Sequence, residues 1–122
     1  MHELSIAMNI LETAAQEAQR RHAGRVVAIH VRLGPLSGVV SEALESAFDL
    51  ARSASPFPDS SLQIEEVAVA AYCLACAAER PVVSPQEIRC AVCGTPTPQI
   101  VRGRELEITA LEIADESANT PG

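Results

Sequence analysis

Aromatic side chains are nearly missing from this sequence, which has no Trp, one Tyr and two Phe in 122 residues. A core built around large rings is therefore excluded. A hydrophobic content of 48% still allows an aliphatic core in one ordinary domain, or in one domain with a small appendage. Basic residues are scarce as well, 9 Lys and Arg against 16 Asp and Glu, for a formal charge of −7. Phosphate recognition relies on Lys and Arg, so nucleic acid is excluded as the main partner. An anionic membrane surface is disfavoured for the same reason. No apolar run approaches the roughly 18 residues of a membrane-spanning helix. The N-terminus has neither a basic n-region nor an apolar h-region, so no signal peptide is expected. A soluble cytoplasmic protein is the expectation. No Ser/His/Asp set, phosphate loop or paired carboxylates stand out, and no catalytic nucleophile is expected.

Residues 4–22 carry apolar side chains at helical spacing: Leu4, Ala7, Leu11, Ala14, Ala15 and Ala18, flanked by Ile6 and Ile10. Glu3 at the start and Arg20, Arg21 and His22 at the end suit the helix dipole, and Gly24 is the expected stop. "RVVAIHVRLG" (25–34) alternates as a strand, with Val27, Ile29, Val31 and Leu33 on one face. A second helix is expected from about Ser41, with Ala43, Leu44, Ala47, Phe48 and Ala51 on one face, and Pro56 and Pro58 mark a loop after it. A strand is expected over 62–72, with a parity change at Glu65–Glu66 that suggests a bulge. Another is expected over 105–113, again with a parity break.

The fold class expected is α+β: two helices packed on a small three-stranded sheet, with an inserted four-cysteine module. The expected division is 1–70 with 99–114 as the α/β domain, 71–98 as the cysteine domain and 115–122 as a flexible tail.

Cys73, Cys76, Cys90 and Cys93 form two C-x2-C pairs, the second followed by Gly94. Cytoplasmic thiols stay reduced, so metal ligation is expected before disulfides. Two thiolates three residues apart in a tight turn can face one ion, and a second turn completes a tetrahedral set. Zn(II) is expected over iron, whose four-thiolate sites usually sit among aromatics; only Tyr72 is near. Four protein thiolates leave no position for a substrate water, which makes the site structural. The apolar residues of the module are few: Leu74, Val82, Val83, Ile88 and Val92. A segment with so small a core needs a cross-link, and metal binding would supply folding free energy.

"MHE" opens the chain. The Met1 amine, the His2 backbone nitrogen and the His2 imidazole can chelate one ion in fused five- and six-membered rings. Glu3 can add a carboxylate oxygen. Ni(II) and Cu(II) favour such square-planar, nitrogen-rich sets. Methionine excision needs a small second residue, so His2 should keep Met1 in place.

"MHELSIAMNI", "VRLGPLSGV", "CLACA" with "CAVCG", and "RGRELEI" resemble, in order and spacing, the HypA/HybF family of hydrogenase nickel-incorporation proteins. The resemblance covers nearly the whole chain. It implies an α/β nickel-binding domain carrying a zinc ribbon-like domain. It implies a nickel metallochaperone rather than an enzyme, serving the [NiFe]-hydrogenase large subunit with a maturation GTPase as partner. The residues it carries over are Met1, His2 and Glu3 for transferable Ni(II), and Cys73, Cys76, Cys90 and Cys93 for Zn(II). Some family members place an acidic residue after "GxLS"; here Val39 and Val40 stand there and Glu42 is the first carboxylate. Glu3, Glu42 or water is left to complete the nickel set.

The alternative is a zinc-ribbon interaction or regulatory module with no nickel role, and the third reading is a dithiol redox enzyme. Oligomeric state is left open. His22 is read as a helix-end cation and His30 as a strand-surface residue. Glu105, Glu107, Glu112, Asp115 and Glu116 are read as a solvated acidic face or a surface for a basic partner.

Overall fold

A computed structural model of the chain describes residues 2–22 and 24–114. The expected tail at 115–122 lies outside the described residues. Helix α1 runs Glu3–Arg20 and buries Ala7, Ile10, Leu11, Ala14 and Ala18. Leu4, placed on this face by spacing, is 46% exposed. His2 occupies the N-cap position without a side-chain cap, and its carbonyl accepts the Ile6 N–H at 3.0 Å. At the other end the Glu17 carboxylate holds Arg20 at 3.0 Å and Arg21 at 2.7 Å. The helix stops earlier than Gly24: the left-handed residue is His22, at φ +52.

Strand β1 follows at Arg25–Leu33 and α2 at Ser41–Arg52, with a 3-10 turn at Pro35–Ser37 between them. Helix α2 buries Leu44 and Phe48, with Ala47 and Ala51 packed beside them, while Ala43 is exposed. Phe57 closes the same core from the proline loop. In β1 the core takes Val26, Ile29 and Val31, so inward parity shifts within the strand and Val27 is only half-buried.

Strand β2 spans Ser61–Glu66 and β3 spans Ala70–Cys73. The single strand expected over 62–72 is thus two strands, and they lie in different sheets. The parity change at Glu65–Glu66 marks the exit from one sheet rather than a bulge within it. Strands β4 (Ala78–Ser84), β5 (Glu87–Cys90), β6 (Ile100–Arg102) and β7 (Leu106–Ala114) complete the chain. One sheet has the order β2-β1-β7 and the other β5-β4-β3-β6. Ile108, Leu111 and Ile113 of β7 all pack on the first core, so its inward parity also shifts.

The chain divides into two compact units: Met1–Val31, Val39–Ile64 and Ile108–Gly122 in one, Arg32–Gly38 and Glu65–Glu107 in the other. The cysteine-bearing unit is therefore wider than 71–98. Backbone hydrogen bonds explain why 32–38 belongs to it. Gly34 N–H donates to the Glu105 carbonyl (2.8 Å), Leu36 N–H to Gly103 (2.7 Å) and Val67 N–H to Leu33 (2.8 Å).

Candidate metal centre

Strand β3 ends on Cys73, and a turn returns the chain as β4, with Cys73 opposite Ala78. Strand β5 ends on Cys90 and lies beside β4, with Val82 opposite Cys90. The β4–β5 hairpin thus brings the second C-x2-C turn beside the first. The turns share a local design. Cys76 N–H donates to Cys73 Sγ at 3.4 Å; Val92 and Cys93 N–H groups donate to Cys90 Sγ at 3.3 and 3.4 Å. Each turn leaves through a left-handed residue just after its second cysteine, Ala77 at φ +54 and Gly94 at φ +80. Gly94 was legible as a turn residue; Ala77 was not, since alanine carries a steric penalty there.

Cys73 and Cys93 sulfurs lie 3.5 Å apart, Cys76 and Cys90 sulfurs 3.9 Å apart, and all four lie within 4.8 Å of one another. Zinc–sulfur bonds of about 2.3 Å in a tetrahedron put sulfurs roughly 3.8 Å apart. The four atoms therefore already stand at the spacing of a closed four-thiolate site, and could hold a metal ion. Cys73 and Cys90 are buried, Cys76 is intermediate and Cys93 is exposed.

Electrostatics within this set are one-sided. The Thr95 hydroxyl, 3.2 Å from Cys93 Sγ, leads in pulling that thiol down to about 6, helped by the Thr95 backbone and Cys73. Cys76 is pulled down by the Arg80 guanidinium, but Cys93, desolvation, Cys73 and Cys90 outweigh it and push Cys76 up to about 11. Desolvation opposes ionisation of Cys90, yet the N–H groups of Cys93 and Val92 leave it lowered. Thiolates in the cage thus oppose the ionisation of Cys76, and a cation held among them would offset that repulsion.

Arg80 and Thr95 were not singled out in the sequence. The Arg80 Nε is buried without a hydrogen-bond partner. A cysteine within four residues of an arginine was the available signal. The expected module core is thinner than its composition implied. Leu74, Val83 and Val92 are 82%, 44% and 65% exposed, leaving Val82 and Ile88 half-buried.

The N-terminal candidates are placed differently. The His2 side chain is exposed at the start of α1, and Glu3 is the first helical residue, half-buried. Met1 lies outside the described residues. Glu42 is exposed in the first turn of α2. Among the described residues, the four cysteines are the one group of three or more His, Cys, Asp or Glu donors gathered closely enough to share an ion. His30 Nε2 lies 2.6 Å from a Glu112 oxygen, and the Glu105 carboxylate accepts the Gly103 N–H at 2.8 Å. Two members of the expected acidic face are therefore engaged within the fold. Asp115 and Glu116 lie outside the described residues.

A family model described as hydrogenase/urease nickel incorporation, metallochaperone, hypA, matches residues 1–113. The chain is similar to the hydrogenase maturation factor HypA of Chloroflexus aurantiacus, 46% identical over 112 residues, which are 92% of this chain and 98% of the relative. The same-named factor of a Roseiflexus species is 40% identical over 117 residues, 96% and 95% of the two chains. Among solved structures, the Ni metallochaperone HypA from Helicobacter pylori aligns with a TM-score of 0.66 at 23% identity, covering 94% of this chain and 99% of the other. That last likeness speaks to the fold.

Proposed function

The chain belongs to the HypA family of nickel-incorporation metallochaperones, carriers rather than enzymes, and from that premise we propose how it divides two metals. Cys73, Cys76, Cys90 and Cys93 hold a structural Zn(II). Met1, His2 and Glu3 hold Ni(II) as cargo, delivered in the cytoplasm for maturation of a [NiFe]-hydrogenase large subunit with a maturation GTPase as partner. The observation that carries this division is the contrast between the sites. The sulfur cage buries two of its donors completely or nearly so, while the His2 imidazole stands exposed at a helix start.

A cage of four protein thiolates has no open position, so it fixes the fold and does no hydrolysis. The fit of its sulfur spacing supports zinc. The His2 site supports release. A carrier must surrender its ion, and an exposed chelate can be attacked by a competing ligand from its open side. The Met1 amine, the His2 amide nitrogen and the imidazole would set a square-planar donor group, which Ni(II) favours. Glu42 stands in the first turn of α2, and it or water is left to complete the set with Glu3.

The test is calorimetric titration with Ni(II) of the native-start protein and of a version extended before Met1, each with its zinc content measured. Loss of tight nickel binding on extension, with zinc retained, is the expected result. Equal nickel affinity would remove the amine from the site.

A further inference from the structure

The four cage cysteines are unequal toward solvent. Cys73 and Cys90 are 0% and 1% exposed, Cys76 is half-buried, and Cys93 is the exposed member. They are also unequal toward one another. One sulfur pair in hydrogen-bonding geometry, at 3.5 Å, joins exposed Cys93 to buried Cys73 across the two turns. The other such pair, Cys76 with Cys90 at 3.9 Å, includes no cysteine of the exposed class. A reagent from solvent therefore meets Cys93 first, and the Cys73 sulfur lies 3.5 Å behind it.

We propose that Cys93 is a modification site for hydroperoxides, with Cys73 as the resolving thiol, so that oxidation opens the metal cage. This rests on reading the cage as the zinc site. The Cys93 sulfur attacks the terminal peroxide oxygen. The O–O bond breaks, a sulfenic acid forms, and the departing hydroxide or alkoxide takes up a proton. The Cys73 sulfur then attacks the Cys93 sulfur. The S–O bond breaks, an S–S bond forms, and hydroxide leaves and is protonated to water. Two electrons pass from the two sulfurs to one peroxide. Cys76 and Cys90 alone remain as thiolate donors, too few for a closed site. A dithiol reductant reverses the change by two exchanges, itself becoming the disulfide.

The experiment uses the full chain as purified, with zinc measured first. A brief iodoacetamide pulse should alkylate Cys93 roughly tenfold ahead of Cys73 and Cys90, by exposure. Stoichiometric hydrogen peroxide should then release zinc to a chromogenic chelator as two thiols are lost, and peptide mapping should find Cys73 joined to Cys93. Earlier alkylation of another cysteine, a disulfide between any other pair, or thiols unchanged by peroxide would overturn the proposal. A chain purified without zinc would overturn the zinc reading instead, while the alkylation order and the disulfide identity still decide for or against Cys93 and Cys73.

Discussion

A β-carbon placed on Gly34 would lie 2.2 Å from both the carbonyl carbon and the oxygen of Gly103. Two backbones meet there with no room for a side chain. Leu36 N–H reaches the Gly103 carbonyl across the same contact. Gly103 is itself constrained, at φ +123 with a notional β-carbon 2.9 Å from Val69 Cγ2. The "LGPLSG" and "RGRE" stretches, distant in sequence, are one piece of backbone packing.

Gly34→Ala should therefore be strongly destabilising, because the clash is with backbone and no rotamer relieves it. A loss of roughly 2–4 kcal/mol is expected from overpacking of this kind. Urea denaturation measures it. A loss within experimental error would mean that this contact is looser than described.

The two cysteine turns give a second, opposite prediction. Ala77 occupies the left-handed region at φ +54, where its counterpart is Gly94 at φ +80. Ala77→Gly relieves a left-handed penalty of about 1–2 kcal/mol, offset in part by about 0.5–1 kcal/mol of added unfolded-state freedom. A net gain of about 0.5–1 kcal/mol is expected. Gly94→Ala should lose a similar amount, since its β-carbon would meet only the Arg89 side chain at 3.4 Å and the cost is conformational. Thermal melts of zinc-loaded protein check both signs.

Much of this molecule was legible because its signals are local. The helix at 3–20 follows from alanine and leucine spacing, and two C-x2-C turns specify a four-sulfur cage by their own geometry. What was not legible depends on partners far away in sequence. Residues 62–72 read as one strand with a parity break because sequence carries no record that Leu62 and Ile64 join one sheet, Ala70–Cys73 another, and Val67 and Val69 the link between them. Leu74 and Val92 read as core by residue type, yet they sit on the exposed tips of the cysteine turns. Arg80 and Thr95 are the exception: each acts on a cysteine of its own turn, Arg80 on Cys76 four residues away and Thr95 on Cys93 two residues away, but neither residue type by itself announces a thiol partner.

Removing a buried ligand should separate the two units. Cys90 is 1% exposed, and its sulfur accepts two backbone N–H groups. Cys90→Ala should lower zinc from about one ion per chain to nearly none and unfold the cysteine turns. Helices α1 and α2 bury their faces in a core that contains no cysteine, so helical circular dichroism should persist. Retention of zinc by this variant would refute the four-thiolate assignment.

Acid should loosen the 103–105 turn. The Glu105 carboxyl is held below its ordinary value of 4.5, first by its own backbone N–H and then by that of Gly103. A depressed folded pKa means stability that is present above the unfolded value and is lost as pH falls through the folded one. Glu105→Gln should therefore flatten the fall in stability below about pH 4.5, since an amide cannot titrate. Denaturant midpoints measured across that range, for both proteins, check the sign.

The exposed His2 carries the most demanding expectation. His2→Ala should abolish specific Ni(II) binding while zinc content and helicity stay unchanged, because the side chain is exposed and makes no cap hydrogen bond to α1. Glu3→Ala should weaken nickel binding less, since water or Glu42 can replace a carboxylate oxygen. Adding one or two residues before Met1 should cost as much as His2→Ala: every side chain remains, but the primary amine becomes an amide and the five-membered chelate ring loses its donor. Binding should also weaken in acid, because protons compete with the ion for the same nitrogen lone pairs. Titration calorimetry of the native-start, His2→Ala and extended proteins at two pH values separates these effects. If the extended protein bound nickel as tightly as the native-start one, the amine would not be a ligand, even with His2 essential.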